Sequence, residues 1–196
     1  MARRAEITQE RIDLAALRLF ADKGVDRTTI NDIAAGAGIA EGTIYRHYAS
    51  KDELIWQLFS ANYVELAWRL DRLQERVPDL RGKLEVMVTA FCALFERDPD
   101  MFSFLLLVQH GQLPRVTPEM KTPVQVVRQA IDRAMARGEI ARQDPELAAA
   151  MVFGIVLQPA TFKVYGRLTQ PMTELAGSLA AACWRALDPA TPQKGH

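Results

Sequence analysis

Apolar positions along this chain recur every three or four residues and hardly ever every two, a pattern that predicts an all-α protein of about nine helices. The first helix is predicted to begin at Thr8, with Ile7 and Ile12 as a hydrophobic staple. It carries Ile12, Ala15, Ala16 and Leu19 on one face and stops at Gly24. Two short helices follow. Thr29 can cap the first of them while Asp32, three residues on, reaches back as in a capping box, and Ile30, Ile33, Ala34 and Ala37 supply its apolar face. Gly38 falls where a tight turn needs positive φ, and Ile39 can plug the angle. The second short helix, Ala40 to Tyr48, buries Ile44 and Tyr48 and turns Glu41, Thr43, Arg46 and His47 outward.

Ser50 caps a long helix that runs to about Arg76, roughly 39 Å at 1.5 Å per residue, before Pro78 ends it. Leu84, Val88, Phe91 and Phe95 stripe the next helix, which stops ahead of Asp98-Pro99, and a short apolar helix follows from Met101 to about Val108. Thr122-Pro123 and Asp144-Pro145 are two further start signals, each a capping side chain followed by a first-turn proline. The helix from Pro145 to about Arg167 has no charge between Leu147 and Leu157, so it requires burial on nearly every side. The uncharged run from Leu147 to Phe162 is short for a membrane span and includes Pro159, so it reads as a buried helix. A last helix spans about Thr173 to Leu187, and residues 189–196 read as a flexible tail.

Residues 28 to 54 therefore spell two short helices joined by a glycine turn, the grammar of a helix-turn-helix DNA reader. Gly42 costs roughly 1 kcal/mol in a helix relative to Ala, which suggests that another backbone, such as a phosphate chain, comes close there. Lys51 lies in the first turn of the long helix, where backbone amides and an ammonium can hold a phosphate together.

The run GIAEGTIYRHYASKDEL, with IAAGAG before it and LFADKGVDRTT before that, resembles the N-terminal domain of the tetracycline-repressor (TetR) family of transcription regulators. The resemblance covers about the first fifty-five residues. It implies a three-helix DNA-binding domain in residues 1–50 and a helical ligand-binding and dimerisation domain in residues 51–188. It further implies contacts to phosphates or bases from Thr29, Gly42, Thr43, Tyr45, Arg46, His47 and Lys51. Ala40 stands where the family often has a capping Ser, and Glu41 where it often has Lys, Arg or Pro; a carboxylate there can accept from cytosine N4.

Composition adds bounds. The 24 basic and 24 acidic residues balance, and residues 1 to 51 carry a net of one positive charge. Any attraction to DNA must be local, built from Arg3, Arg4, Arg27, Arg46, Lys51 and helix N-termini. Cys92 and Cys183, the only cysteines, offer neither a disulfide framework nor metal-ligand spacing, which suits a reducing, cytoplasmic compartment. The N-terminus lacks the apolar core of a signal peptide. His47 and His196 have no ligand-type companions at metal spacing, no cofactor motif is read, and no nucleophile motif or carboxylate pair points to an enzyme.

The functional expectation is a homodimeric, ligand-responsive regulator, most simply a repressor, that binds double-stranded operator DNA and is released by a small apolar or amphipathic effector. Phe91, Phe95, Phe104, His110 and Met151 are candidate lining residues for that effector, with the long helix as the lever. Ala148, Ala149, Ala150, Ala180, Ala181 and Ala182 permit close helix approach across a symmetric contact, and the resemblance implies pairing through the last two long helices. The alternative is a helical small-molecule or protein-binding module whose DNA reader has degenerated.

Overall fold

A computed structural model describes residues 2–187, and among them it contains nine α-helices and no strand. They are α1 (Ala2–Lys23), α2 (Ile30–Ala37), α3 (Glu41–His47), α4 (Lys51–Glu75), α5 (Leu80–Arg97), α6 (Pro99–Gln112), α7 (Pro123–Ala136), α8 (Pro145–Val164) and α9 (Met172–Leu187). A 3-10 turn, Leu113–Arg115, follows α6. The tail at 189–196 and the side chains of Arg3 and Arg4 lie outside the described residues.

Helix α1 starts at Ala2, not Thr8, and Ile7 is therefore an exposed residue inside a helix instead of a staple ahead of one. Ala, Arg and Glu are good helix formers and nothing between residues 2 and 7 breaks the helix, so the cap-like Thr8 is simply read through. Helix α6 is longer than expected at both ends because Asp98 accepts from the Met101 amide at 3.1 Å as an N-cap, with Pro99 in the first turn. Helix α8 ends at Val164, short of Arg167.

Packing divides the chain into two compact units. Among the described residues, 2–63 and 98–117 form one, here the reading unit; 64–97 and 118–187 form the other. This line follows contacts and differs from the functional division expected at residue 50, since α6 belongs with α1. The core of the reading unit gathers Ile12, Ala16 and Phe20 of α1, Ile33, Ala34 and Ala37 of α2, Ile44 of α3, Tyr48, and Leu54, Ile55, Leu58 and Phe59 of α4. Phe104 of α6 completes it, stacked on Phe20 with ring centroids 5.5 Å apart. The other unit lays α5 along α9 and α8 against both α7 and α9. Its α4 end is closed by Lys83, a buried side chain whose Nζ donates to the Gln74 carbonyl and to Gln74 Oε1 at 2.6 Å each. Both cysteines lie in this unit, buried and unpaired, and burial pushes each thiol up to about 11.

Helix α8 is long and apolar enough, by length and composition, to cross a membrane, but one edge of it packs inside the protein. That edge is Ala148, Ala149, Val152, Val156 and Ala160. The expectation of burial on nearly every side is not met within one chain: Leu147 is 61% exposed, and Ala150, Gly154 and Phe162 are exposed on the opposite face.

Candidate nucleic-acid interface

The reading elements assemble as the local sequence dictates. Asp32 N donates to Thr29 Oγ1 at 3.1 Å while Thr29 N donates to Asp32 Oδ2 at 2.8 Å, so the capping box at the start of α2 is closed. The Thr29 amide first, then Lys23 at 2.9 Å and the Thr29 hydroxyl at 2.7 Å, hold the Asp32 carboxyl well below the usual carboxylate range. Gly38 ends α2 with φ 63° and ψ 43°, in the left-handed region that a side chain disfavours. Arg11 of α1 donates to the Ala37 carbonyl, which places a guanidinium on the negative end of α2.

Helix α3 has only seven residues, and its N-cap, Ala40, offers no side-chain bond. A helix this short does not hold itself together in water, so it depends on what it buries. Within the helix only Ile44 is buried, at 0% exposure, a burial worth roughly 1.5–3 kcal/mol. The second anchor is the C-cap residue Tyr48, 2% exposed. Its hydroxyl donates to Asp13 Oδ1 and accepts from Gln9 Nε2 at 3.2 Å, both on α1. Burial raises the Asp13 carboxyl above its ordinary value, against the Tyr48 donor and the charge of His47, which lower it. The Tyr48 phenol is raised as well, by burial first and then by the Asp13 carboxylate.

With those anchors inward, the outward groups of α3 come together. Tyr45 is 51% exposed, Arg46 is exposed and donates Nη2 to Thr43 Oγ1 at 3.1 Å, and His47 is half-buried with its ring 6.5 Å from that of Tyr48. Thr29 lies exposed at the start of α2, and Gly42 lies exposed in the first turn of α3 with no atom within 4 Å of where a Cβ would stand. Among the described residues, nothing therefore needs the glycine. The space it leaves faces outward, open to a partner's backbone.

Lys51 is placed differently from the simple expectation of a free phosphate-binding ammonium. Its Nζ donates to the carbonyls of Val25 and Thr28 at 2.8 Å each, closing the turn between α1 and α2 and leaving one N–H to spare. Thr28, fully buried, secures the same turn by donating to the Gly24 carbonyl at 2.8 Å.

The five residues proposed to line an effector pocket are divided between the two units. Phe91 and Phe95 are buried neighbours on α5, with ring centroids 6.4 Å apart, and Met151 is half-buried on α8. Phe104 and His110 belong to the reading unit: the first is fully buried in its core, the second exposed on α6. Sequence reasoning missed Asp13 and Gln9. The available signal was a carboxylate between Ile12 and Ala16 on the apolar side of α1, with a glutamine four residues earlier to share its face.

A short helix that offers polar side chains beyond a glycine turn, carried on a three-helix core, defines a helix-turn-helix DNA-binding protein. Residues 14–58 match the profile of bacterial regulatory proteins of the tetR family. The candidate mycofactocin biosynthesis transcriptional regulator MftR of Mycobacterium tuberculosis is 30% identical over 167 residues, 80% of each chain. The transcriptional repressor KstR2 of the same species is 39% identical over 87 residues, 44% of this chain and 42% of that one. Among solved structures, the transcriptional regulator FadR of Bacillus subtilis, in complex with stearoyl-CoA, superposes with a TM-score of 0.77 at 21% identity, covering 91% of this chain and 98% of that one. This chain belongs to the tetR family. It is a DNA-binding transcription regulator, not an enzyme.

Proposed function

We propose that the protein is a homodimeric repressor, released from its operator by a small apolar or amphipathic effector. The DNA-reading function is assigned to residues 1–50, and the effector and pairing functions to residues 51–188, in the bacterial cytoplasm where operator DNA lies. The observation that carries this reading is the outward group on α3, exposed Tyr45 and Arg46 with half-buried Thr43 and His47, set beside the open backbone at Gly42. Thr29, Tyr45 and the spare N–H of Lys51 are assigned to phosphates, and Arg46 and His47 to base edges. Lys51→Ala is then expected to have two separable effects. The carbonyls of half-buried Val25 and buried Thr28 lose a charged donor, at about 1–3 kcal/mol of stability in urea unfolding. DNA affinity falls on good and poor sites alike, with the salt slope reduced by about one.

Pairing is assigned to the face of α8 and α9 that one chain leaves bare. Exposed Leu147, Gly154, Phe162 and Tyr165 follow helical spacing along α8 and its end, and exposed Gly177 with half-buried Ala181 does so on α9. Neither Gly154 nor Gly177 has an atom within 4 Å of a would-be Cβ, which leaves room for close approach of a second chain. A two-fold dimer requires an inverted-repeat site with half-sites in successive major grooves. Selection of DNA fragments by the purified protein tests this, and a selected site without two-fold symmetry overturns it.

The effector is assigned to the helices that carry Phe91, Phe95 and Met151, with α4 as the continuous path between the two units. Because the Bacillus subtilis FadR structure holds stearoyl-CoA, a long-chain acyl-CoA is the first probe. Ligand must bind the released form more tightly than the DNA-bound form, and a tenfold loss of DNA affinity needs only about 1.4 kcal/mol of coupling. Calorimetric titration of stearoyl-CoA with and without operator is expected to give affinities that differ by the same factor by which the ligand weakens DNA binding. Equal affinities in the two titrations remove acyl-CoA as the effector.

A further inference from the structure

We infer that Tyr48 and its α1 partners, Asp13 and Gln9, set the orientation of α3, and that they are positioning residues for base reading without touching DNA themselves. The inference rests on α3 being the base-reading element. A single buried side chain pins a short helix at one point and leaves it free to roll and tilt about that point. Ile44 is that single pin within α3, since Ala40 provides no cap bond and every other helical residue is half-buried or exposed. Orientation therefore has to come from a second point with directional bonds.

Tyr48 is that point. Its amide closes the helix on the Ile44 carbonyl at 2.9 Å, so the ring is attached to the last turn with little slack. Its hydroxyl is held from two sides by Gln9 and Asp13, which stand four residues apart on one face of α1. A phenylalanine would fill the same space and keep the apolar contact but could not distinguish one roll angle from another. The residue before Tyr48 is His47, and Arg46 and Tyr45 precede it, so any error in roll moves all three outward groups together. Base edges are read by bonds with narrow angular tolerance, whereas phosphates are contacted by charges that tolerate displacement. Loss of the hydroxyl is thus predicted to cost discrimination between sequences more than it costs affinity for DNA in general.

The test uses the full-length protein, a duplex selected from a random pool by the wild-type chain, and a scrambled duplex of the same length. Wild type must first prefer the selected duplex; if it does not, the base-reading assignment of α3 fails, and this inference with it. Given that preference, Tyr48→Phe is expected to lower affinity for the selected duplex by about tenfold, what one well-aligned base contact contributes. Affinity for the scrambled duplex is expected to hold within about twofold, because contacts to phosphates tolerate a small displacement of the helix and those of Thr29 and Lys51 lie outside it. Asp13→Asn keeps an acceptor for the hydroxyl and is expected to retain the preference, while Asp13→Leu is expected to lose it as Tyr48→Phe does. The double variant Tyr48→Phe/Asp13→Leu should be no worse than either single change, the non-additivity of one shared bond. Circular dichroism and thermal unfolding show which variants are folded. A folded Tyr48→Phe with wild-type preference overturns the inference, and so does an equal loss on both duplexes.

Discussion

Gly154→Arg is expected to turn a dimer into a monomer while leaving each chain folded. Within one chain the position is exposed and a new side chain meets nothing, so folding has little to lose. At the proposed contact the same charge would be buried without a partner, at about 3–5 kcal/mol, roughly two to three and a half decades in the dimer constant. Sedimentation at micromolar concentration reads the result: wild type as a dimer, the variant as a monomer with an unchanged helical spectrum. Operator affinity falls with it, because each half-site then has to be bound separately. A wild-type chain that sediments as a monomer ends the pairing assignment. Val152 looks similar in sequence but is unsuitable, being buried inside its own chain, where a charge would test folding instead.

Gly42→Leu is expected to move stability and function in opposite directions. Glycine is the poorest ordinary residue in a helix, and replacing it where no protein atom stands within 4 Å raises stability by up to about 1 kcal/mol. If a phosphate backbone approaches the first turn of α3, the added side chain occupies its path, and affinity for specific and nonspecific DNA drops on the order of a hundredfold, as about 2.7 kcal/mol of lost contact implies. Urea unfolding and a binding titration on the same preparation give both signs. A more stable variant that still binds DNA as wild type does shows that no backbone approaches Gly42.

The parts of this fold that local chemistry fixes were legible in the sequence. Thr29 and Asp32 close their capping box, Gly38 adopts the left-handed turn, and Thr122-Pro123 and Asp144-Pro145 start helices, because each signal is complete within four residues. Start points without such a signal were misread: nothing in the first seven residues marks a boundary, and α1 simply extends to Ala2. Periodicity also reveals which face of a helix is apolar but not which core receives it. Phe91 and Phe104 lie on helices of similar character, yet Phe104 stacks on Phe20 of α1 while Phe91 lies on α5 in the other unit. The bonds of Tyr48 to Asp13 and Gln9, and of Lys51 to Val25 and Thr28, join residues 23 to 39 positions apart. No local pattern encodes such pairs, which form only once the helices have docked.

The two buried thiols make the protein a convenient subject for site-directed labelling. Both are buried, and burial pushes each up to about 11, so little of either is a reactive thiolate at neutral pH and neither is open to a reagent. A single introduced cysteine, such as Ala35→Cys on the exposed side of α2, would carry a spin label without first stripping the native sulfurs. In a two-fold dimer each chain contributes one label, so a single substitution turns the spacing of the two reading heads, with and without effector, into one directly measured distance.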